Sequence, residues 1–193
     1  AGAARIGSMG RTLLGEAVAE ADIGLHGSFA ETGFGHGTDR ALLAGLLGMK
    51  PDDLRIPNAY EEAKKAGLRY SFRAVELRDA HPNTALLDLT GVSGKRLQLQ
   101  ASSVGGGAIV VNGVDGVSVH FTGESNTLIV RNQDEHGSVA AITSILSQLR
   151  IFAELGLVGQ RTRLPHQAEG VEAGRRESGD DGDDGDDGDD GNT

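Results

Sequence analysis

The spacing of apolar residues changes once along this chain, and that change limits the fold more than any other feature. Before residue 68 they recur every three or four positions, as Met9, Leu13, Leu14 and Ala17 and again as Leu42, Leu43, Leu46 and Leu47. That spacing gathers them on one face of a helix. From Tyr70 onward they alternate with polar neighbours: Tyr70 and Phe72, then Ala85, Leu87 and Leu89, Leu97 and Leu99, Ile109 and Val111, and Val117, Val119 and Phe121. A period of two marks strands with one buried face. Val92-Ser-Gly-Lys95 and Asp115-Gly116 are turn sequences that make hairpins of their flanking strands. Helices followed by antiparallel strands predict an α+β fold, with helices packed on a mainly antiparallel sheet.

Local signals divide the chain further. Gly7, Gly10 and Gly15 interrupt the first helical pattern, as in a helix packed closely against a neighbour. Leu25 to Gly37 reads as loop. Thr38 and Asp39 are candidate caps for a helix that Gly48 ends, and Pro57 opens another in which Glu61 can pair with Lys65 before Gly67 stops it. Three helices thus precede the first expected strand. Later, a strand over Thr127–Arg131, a helix over Ser138–Leu149 and a strand over Ile151–Val158 suggest a small second unit. After Gly159 little is apolar, and four tandem Gly-Asp-Asp units cannot bury enough surface to offset ordering entropy. The expected organisation is a domain over 1–124, a partial second unit over 125–159 and a disordered acidic tail over 160–193.

Charge and composition exclude several functions. The net charge is -10, but acidic residues concentrate in the tail and leave the body close to neutral. Without a basic stripe, and with few aromatic residues, no nucleic-acid partner is expected. No apolar run approaches the roughly 20 residues that span a bilayer, so a cytoplasmic chain without a membrane partner is expected. Cysteine is absent. The chain therefore carries no disulfide and no iron-sulfur cluster on its own thiolates, and no metal-ligating residues are assigned.

Three stretches stand apart from scaffold. In Gly33-Phe-Gly-His-Gly-Thr-Asp39, glycines on both sides of His36 leave the imidazole unshielded, although a flexible loop ending in a helix cap has the same spacing. His81-Pro-Asn-Thr84 sets donors close together at the start of a strand, which also suits a turn satisfied by its own side chains. Ala101-Ser-Ser-Val-Gly-Gly-Gly107 lies between two strands and lacks both the Lys-Ser/Thr ending and the G-x-G-x-x-G spacing, which disfavours nucleotide binding. Its amides and hydroxyls could cradle a carboxylate or another small anion, or serve a bulged hairpin. From the residues alone, a domain that binds a small anion or an amino acid is as far as the reading goes.

Taken together and in order, Gly33-Phe-Gly-His-Gly-Thr-Asp39, His81-Pro-Asn-Thr84 with the following Leu-Asp-Leu-Thr-Gly, and Ser102-Ser-Val-Gly-Gly-Gly107 resemble the beta chain of bacterial iron-sulfur L-serine dehydratase. Arg5, Gly27-Ser28 and Asp39 to Gly48 also fall in pattern, and the resemblance reaches about Leu155. It implies an allosteric substrate-binding domain followed by a truncated, ferredoxin-like ACT unit, with Leu128 to Val130 as its first strand. Asp134 and Gly137 would belong to the ACT effector loop. His36, Thr38 and Asp39 would be catalytic, and His81, Asn83, Thr84, Ser102, Ser103, Gly105, Gly106 and Gly107 would bind substrate or an allosteric anion.

The implied activity is that of an L-serine ammonia-lyase, which dehydrates L-serine to aminoacrylate, hydrolysed in turn to pyruvate and ammonia. A [4Fe-4S] cluster on a separate alpha chain would polarise the serine hydroxyl while a base removes the α-proton. The implied partners are that alpha chain, L-serine and a second copy of this chain. Without the alpha chain, no activity is expected. The family's Ser-Ser-His-Thr segment would precede Ala1, and the ACT pattern is lost near Gly156. A stand-alone regulatory module that binds serine or a small anion without catalysis is the alternative.

Overall fold

The computed structural model describes residues 1–131 and 135–148. Among them the order is α1 (Gly2–Leu14), β1 (Val18–His26), α2 (Ser28–Thr32), α3 (Thr38–Leu46), a 3-10 turn (Ile56–Asn58), α4 (Ala59–Ala66), β2 (Arg69–Ala74), β3 (Thr84–Gly91), β4 (Arg96–Gly105), β5 (Ala108–Val114), β6 (Val117–Phe121) and α5 (Ser138–Gln148). The strands form one sheet in the order β2-β1-β3-β4-β5-β6. Only β1 and β2 run parallel, so the sheet is mixed but mainly antiparallel, as the α+β reading required.

One face of the sheet builds the core. Ala21, Ile23 and Leu25 of β1, Ala85, Leu87 and Leu89 of β3 and Leu97, Leu99 and Ala101 of β4 are all buried in one cluster with Ile6 and Leu14 of α1 and Leu42, Leu43 and Leu46 of α3. The opposite face is polar. There Glu20 and Asp22 pair with Arg69 and Arg73 at 2.8 and 2.7 Å, and Arg73 also reaches Asp88. The expected close packing of the first helix is explained by glycine: a Cβ on Gly7 would lie 2.9 Å from the Leu46 nitrogen of α3, and one on Gly45 would lie 2.7 Å from the Ser8 nitrogen of α1. Backbone therefore touches backbone where the two helices cross.

Several expectations are corrected. A strand, β1, follows the first helix, so three helices do not precede the first strand, and Leu25 and His26 close that strand rather than open a loop. The loop is itself interrupted by α2. Gly37 caps α3, and neither Thr38 nor Asp39 makes a capping hydrogen bond. Both turn inward and are buried, Asp39 because the Tyr60 hydroxyl meets its carboxylate there. Lys65 pairs with Glu62 at 2.6 Å, rather than with Glu61. No strand forms over Thr127–Arg131, since β6 pairs only with β5 among the described residues and a lone segment has no ladder to join. The hairpins at Val92–Lys95 and Asp115-Gly116 are as read, and in the second the Asp115 carboxylate accepts the Gln98 amide at 2.8 Å. Asp134, the end of the helix at Leu149, the strand over 151–158 and the tail over 160–193 lie outside the described residues. No described helix is long and apolar enough to cross a membrane.

Candidate functional site

Of the three singled-out stretches, Gly33–Asp39 lies beside the edge strand β2, where Phe34 meets Phe72, whereas the topology brings His81–Thr84 and Ser102–Gly107 together at one end of the sheet. β1 finishes there at His26, which stands opposite Thr84 at the start of β3, and Thr84 in turn stands opposite Ser102 near the end of β4. The loop carrying His36 leaves from the first of these strand ends, His81 to Asn83 lead into the second, and Gly105 to Gly107 turn the chain from the third into β5. Gly27 locks two of the connections together, because its missing Cβ would lie 2.7 Å from the Pro82 carbonyl.

Of the eight residues read as an anion site, Thr84 and Ser102 are buried with their hydroxyl oxygens 2.7 Å apart. Thr84 donates to the His81 carbonyl at 2.6 Å, so the single Ser102 proton serves both the Thr84 oxygen and Asn112 Oδ1 at 2.8 Å. The Asn83 amide donates to His81 Nδ1 at 3.1 Å, and the Ser103 amide donates to the Asn83 carbonyl. These contacts satisfy the turn from within, so Thr84 and Ser102 stitch β3 to β4. Ser103 points toward Gly2 at the start of α1. Gly105, Gly106 and Gly107 all adopt positive φ in a bulged turn, and the Gly107 carbonyl accepts from Arg5 at 3.2 Å. Replacing Ser102 by alanine should cost about 1–2 kcal/mol, because Asn112 loses its donor and Thr84 a partner. Urea denaturation measures it; an unchanged midpoint would mean that the network contributes nothing.

His81 also borders a polar hollow of about 440 Å³ on the side of the sheet away from the helices, with Gln98, Gln100, Asn112, Ser118 and His120 on its walls. Asn112 carries no signature in the sequence, because it sits in an otherwise apolar strand and its partner Ser102 lies across the β4–β5 pairing.

At the other connection, His36 is exposed, and its amide donates to the Thr32 carbonyl at 3.2 Å. Thr38 and Asp39 are buried behind it, and Asp39 is only 3% exposed. Of these three residues, His36 alone presents its side chain outward. Asp39 Oδ2 accepts a hydrogen bond from Tyr60 of α4, while Asp39 Oδ1 has no partner. Tyr60 was missed from sequence because it lies 21 positions from Asp39 in another helix. Burial first, and the Asp39 carboxylate second, push its phenol up to about 12. A folded-state pKa above the ordinary value of 10 contributes stability that is complete below pH 10 and is lost as pH rises toward 12. Phenolate absorbance should therefore contain a component near pH 12 that disappears in Tyr60→Phe; its persistence would assign that component elsewhere. Among the described residues no group of three or more His, Cys, Asp or Glu side chains is placed to hold a metal ion.

Residues 1–69 match the family described as serine dehydratase beta chain. The L-serine dehydratase beta chain of Peptoniphilus asaccharolyticus is 37% identical over 148 residues, which span 76% of this chain and 67% of that protein. A probable L-serine dehydratase beta chain of Bacillus subtilis strain 168 is 36% identical over 151 residues, spanning 78% of this chain and 68% of that one. This chain belongs to the serine dehydratase beta-chain family. It spans about two thirds of the length of these relatives. As a serine dehydratase beta chain it has its His-Pro-Asn-Thr turn and its Gly-Gly-Gly turn at one end of the sheet and its glycine loop beside β2, with His36 exposed in that loop.

Proposed function

We propose that this chain is the beta subunit of an iron-sulfur L-serine ammonia-lyase that converts L-serine to pyruvate and ammonia in the cytoplasm, with the [4Fe-4S] cluster on a separate alpha chain. The observation that carries the reading is the family membership, with relatives 37% and 36% identical over most of this chain. This chain has no cysteine and, among its described residues, no cluster of metal-binding side chains, so its own residues do not fit the cluster and the ligands must come from elsewhere.

In this reading L-serine loses its α-proton and its hydroxyl as water, and the aminoacrylate left behind is hydrolysed. His36 is the residue of this chain that hydrogen-bonds the substrate or moves a proton. Thr38 and Asp39, being buried, hold the loop instead of meeting substrate. The turn at Gly105–Gly107, tied to α1 through Arg5, keeps its own end of the sheet in shape.

Coexpression with a candidate alpha chain, followed by an anaerobic pyruvate assay on L-serine, tests the reading. Activity should require both chains, and this chain alone should stay colourless after reconstitution with iron and sulfide. A stoichiometric brown cluster on this chain alone would overturn the two-chain arrangement. The polar hollow beside His81 favours a second reading, a regulatory module that binds serine or a small anion without catalysis. Calorimetry with serine and with phosphate, on the unmodified chain and on Gln100→Ala and His120→Ala, tests that role: weaker binding in both variants supports it, and binding unaffected by either places the ligand elsewhere.

A further inference from the structure

The chain has two tyrosines and five phenylalanines, and both tyrosines and two of the phenylalanines form one unbroken run beside His36. Phe34, two residues before His36, meets Phe72 of β2 edge to face with ring centroids 5.6 Å apart. Phe72 meets Tyr70 at 5.9 Å, and Tyr70 lies tilted against Tyr60 of α4 at 5.8 Å. The Tyr60 hydroxyl then donates to Asp39, three residues after His36. The run leaves the glycine loop at Phe34 and returns to it at Asp39.

Core packing accounts for Phe72 and Tyr60 but not for the other two rings. Phe34 is 55% exposed and Tyr70 is 37% exposed, so each ring gives up only part of its surface to water exclusion. Asp39 is buried with one carboxylate oxygen unpartnered, a position that is unfavourable in itself and is kept by the Tyr60 bond to the other oxygen. What the contacts do is fix both flanks of a segment whose glycines at 33, 35 and 37 would otherwise leave it loose. Offset and edge-to-face ring pairs are directional, which suits them to holding a geometry.

We infer that Phe34, Phe72, Tyr70 and Tyr60, closed by Asp39, form a clamp that positions the His36 imidazole. They are positioning residues, since they act on His36 through the loop. The catalytic consequence rests on the role proposed for His36 above, but the clamp itself does not.

Two measurements separate these claims. In the full chain alone, hydrogen exchange at the amides of His36 to Ala41 should speed up by about 10-fold in Tyr60→Phe and in Phe34→Leu, while amides of β3 and β4 keep their rates. Phe34→Leu, at an exposed site, guards against general unfolding. Loop exchange unchanged in both variants overturns the clamp. In the enzyme assembled with an alpha chain, both variants should lower kcat by about 10-fold with KM little altered, as expected of a misplaced proton-transfer group. Faster loop exchange with normal kcat per assembled enzyme would uphold the clamp and overturn the catalytic role of His36.

Discussion

Replacing His36 by alanine in the assembled enzyme should lower turnover by about 100-fold or more, the usual consequence of losing a general acid or base. The expectation rests on its exposure: Thr38 and Asp39, its companions in the motif, are buried, which leaves the imidazole as the side chain of the three that can reach a substrate. The substitution removes no side-chain contact with the core, so assembly and cluster content should remain normal. Turnover must be expressed per assembled enzyme, because a loop that only supports an interface would lose assembly instead. Near-normal turnover would remove His36 from the mechanism and leave this chain with binding or regulation alone.

The largest effect on stability is expected from Gly45→Ala. In the interior of an isolated helix this change gains about 1 kcal/mol from intrinsic propensity. Here the added methyl would collide with the Ala4 carbonyl and lie 2.7 Å from the Ser8 nitrogen, both backbone atoms that no rotamer change can move. Forcing α1 and α3 apart should outweigh the helical gain and destabilise the chain by about 2–3 kcal/mol. The same methyl at Gly35 would lie 3.5 Å from the Thr32 carbonyl and should change stability by less than about 0.5 kcal/mol. Urea denaturation of the two variants makes the comparison. A stabilised Gly45→Ala protein would show that the two helices are not held in contact at this point.

How much of this was legible beforehand depended on whether the deciding interaction was local. The hairpin at Asp115-Gly116 and the stop at Gly67 are set within a few residues and were read correctly. β1 was missed because Glu20 and Asp22 are poor strand residues on their own; Arg69 and Arg73, some 50 positions later, neutralise them on the open face. The alternation of Ala21, Ile23 and Leu25 was there to be noticed. Asp39 looked like a cap because nothing nearby announces Tyr60 as its partner. The reverse error occurred at Leu128 to Val130, where local β propensity was strong but the segment pairs with no described strand. The candidate site fared similarly: its motifs were recognisable, but that Thr84 and Ser102 bond to each other, and Asp39 to Tyr60, needed the fold.

The position of β1 has a consequence for synthesis. Leu25 pairs with Ala85, about 60 residues later in the chain, and its parallel neighbour β2 also comes well after it. At roughly 5–20 residues per second, a ribosome would leave β1 without either neighbour for about 2.5–10 s, until β2 emerges. During that interval Ala21, Ile23 and Leu25 form an unprotected apolar edge. Glu20 and Asp22, which weaken β1 as a strand in isolation, would then repel a second nascent copy until Arg69 and Arg73 arrive to neutralise them. The residues that hide this strand from a reader of the sequence would also keep it from premature partners.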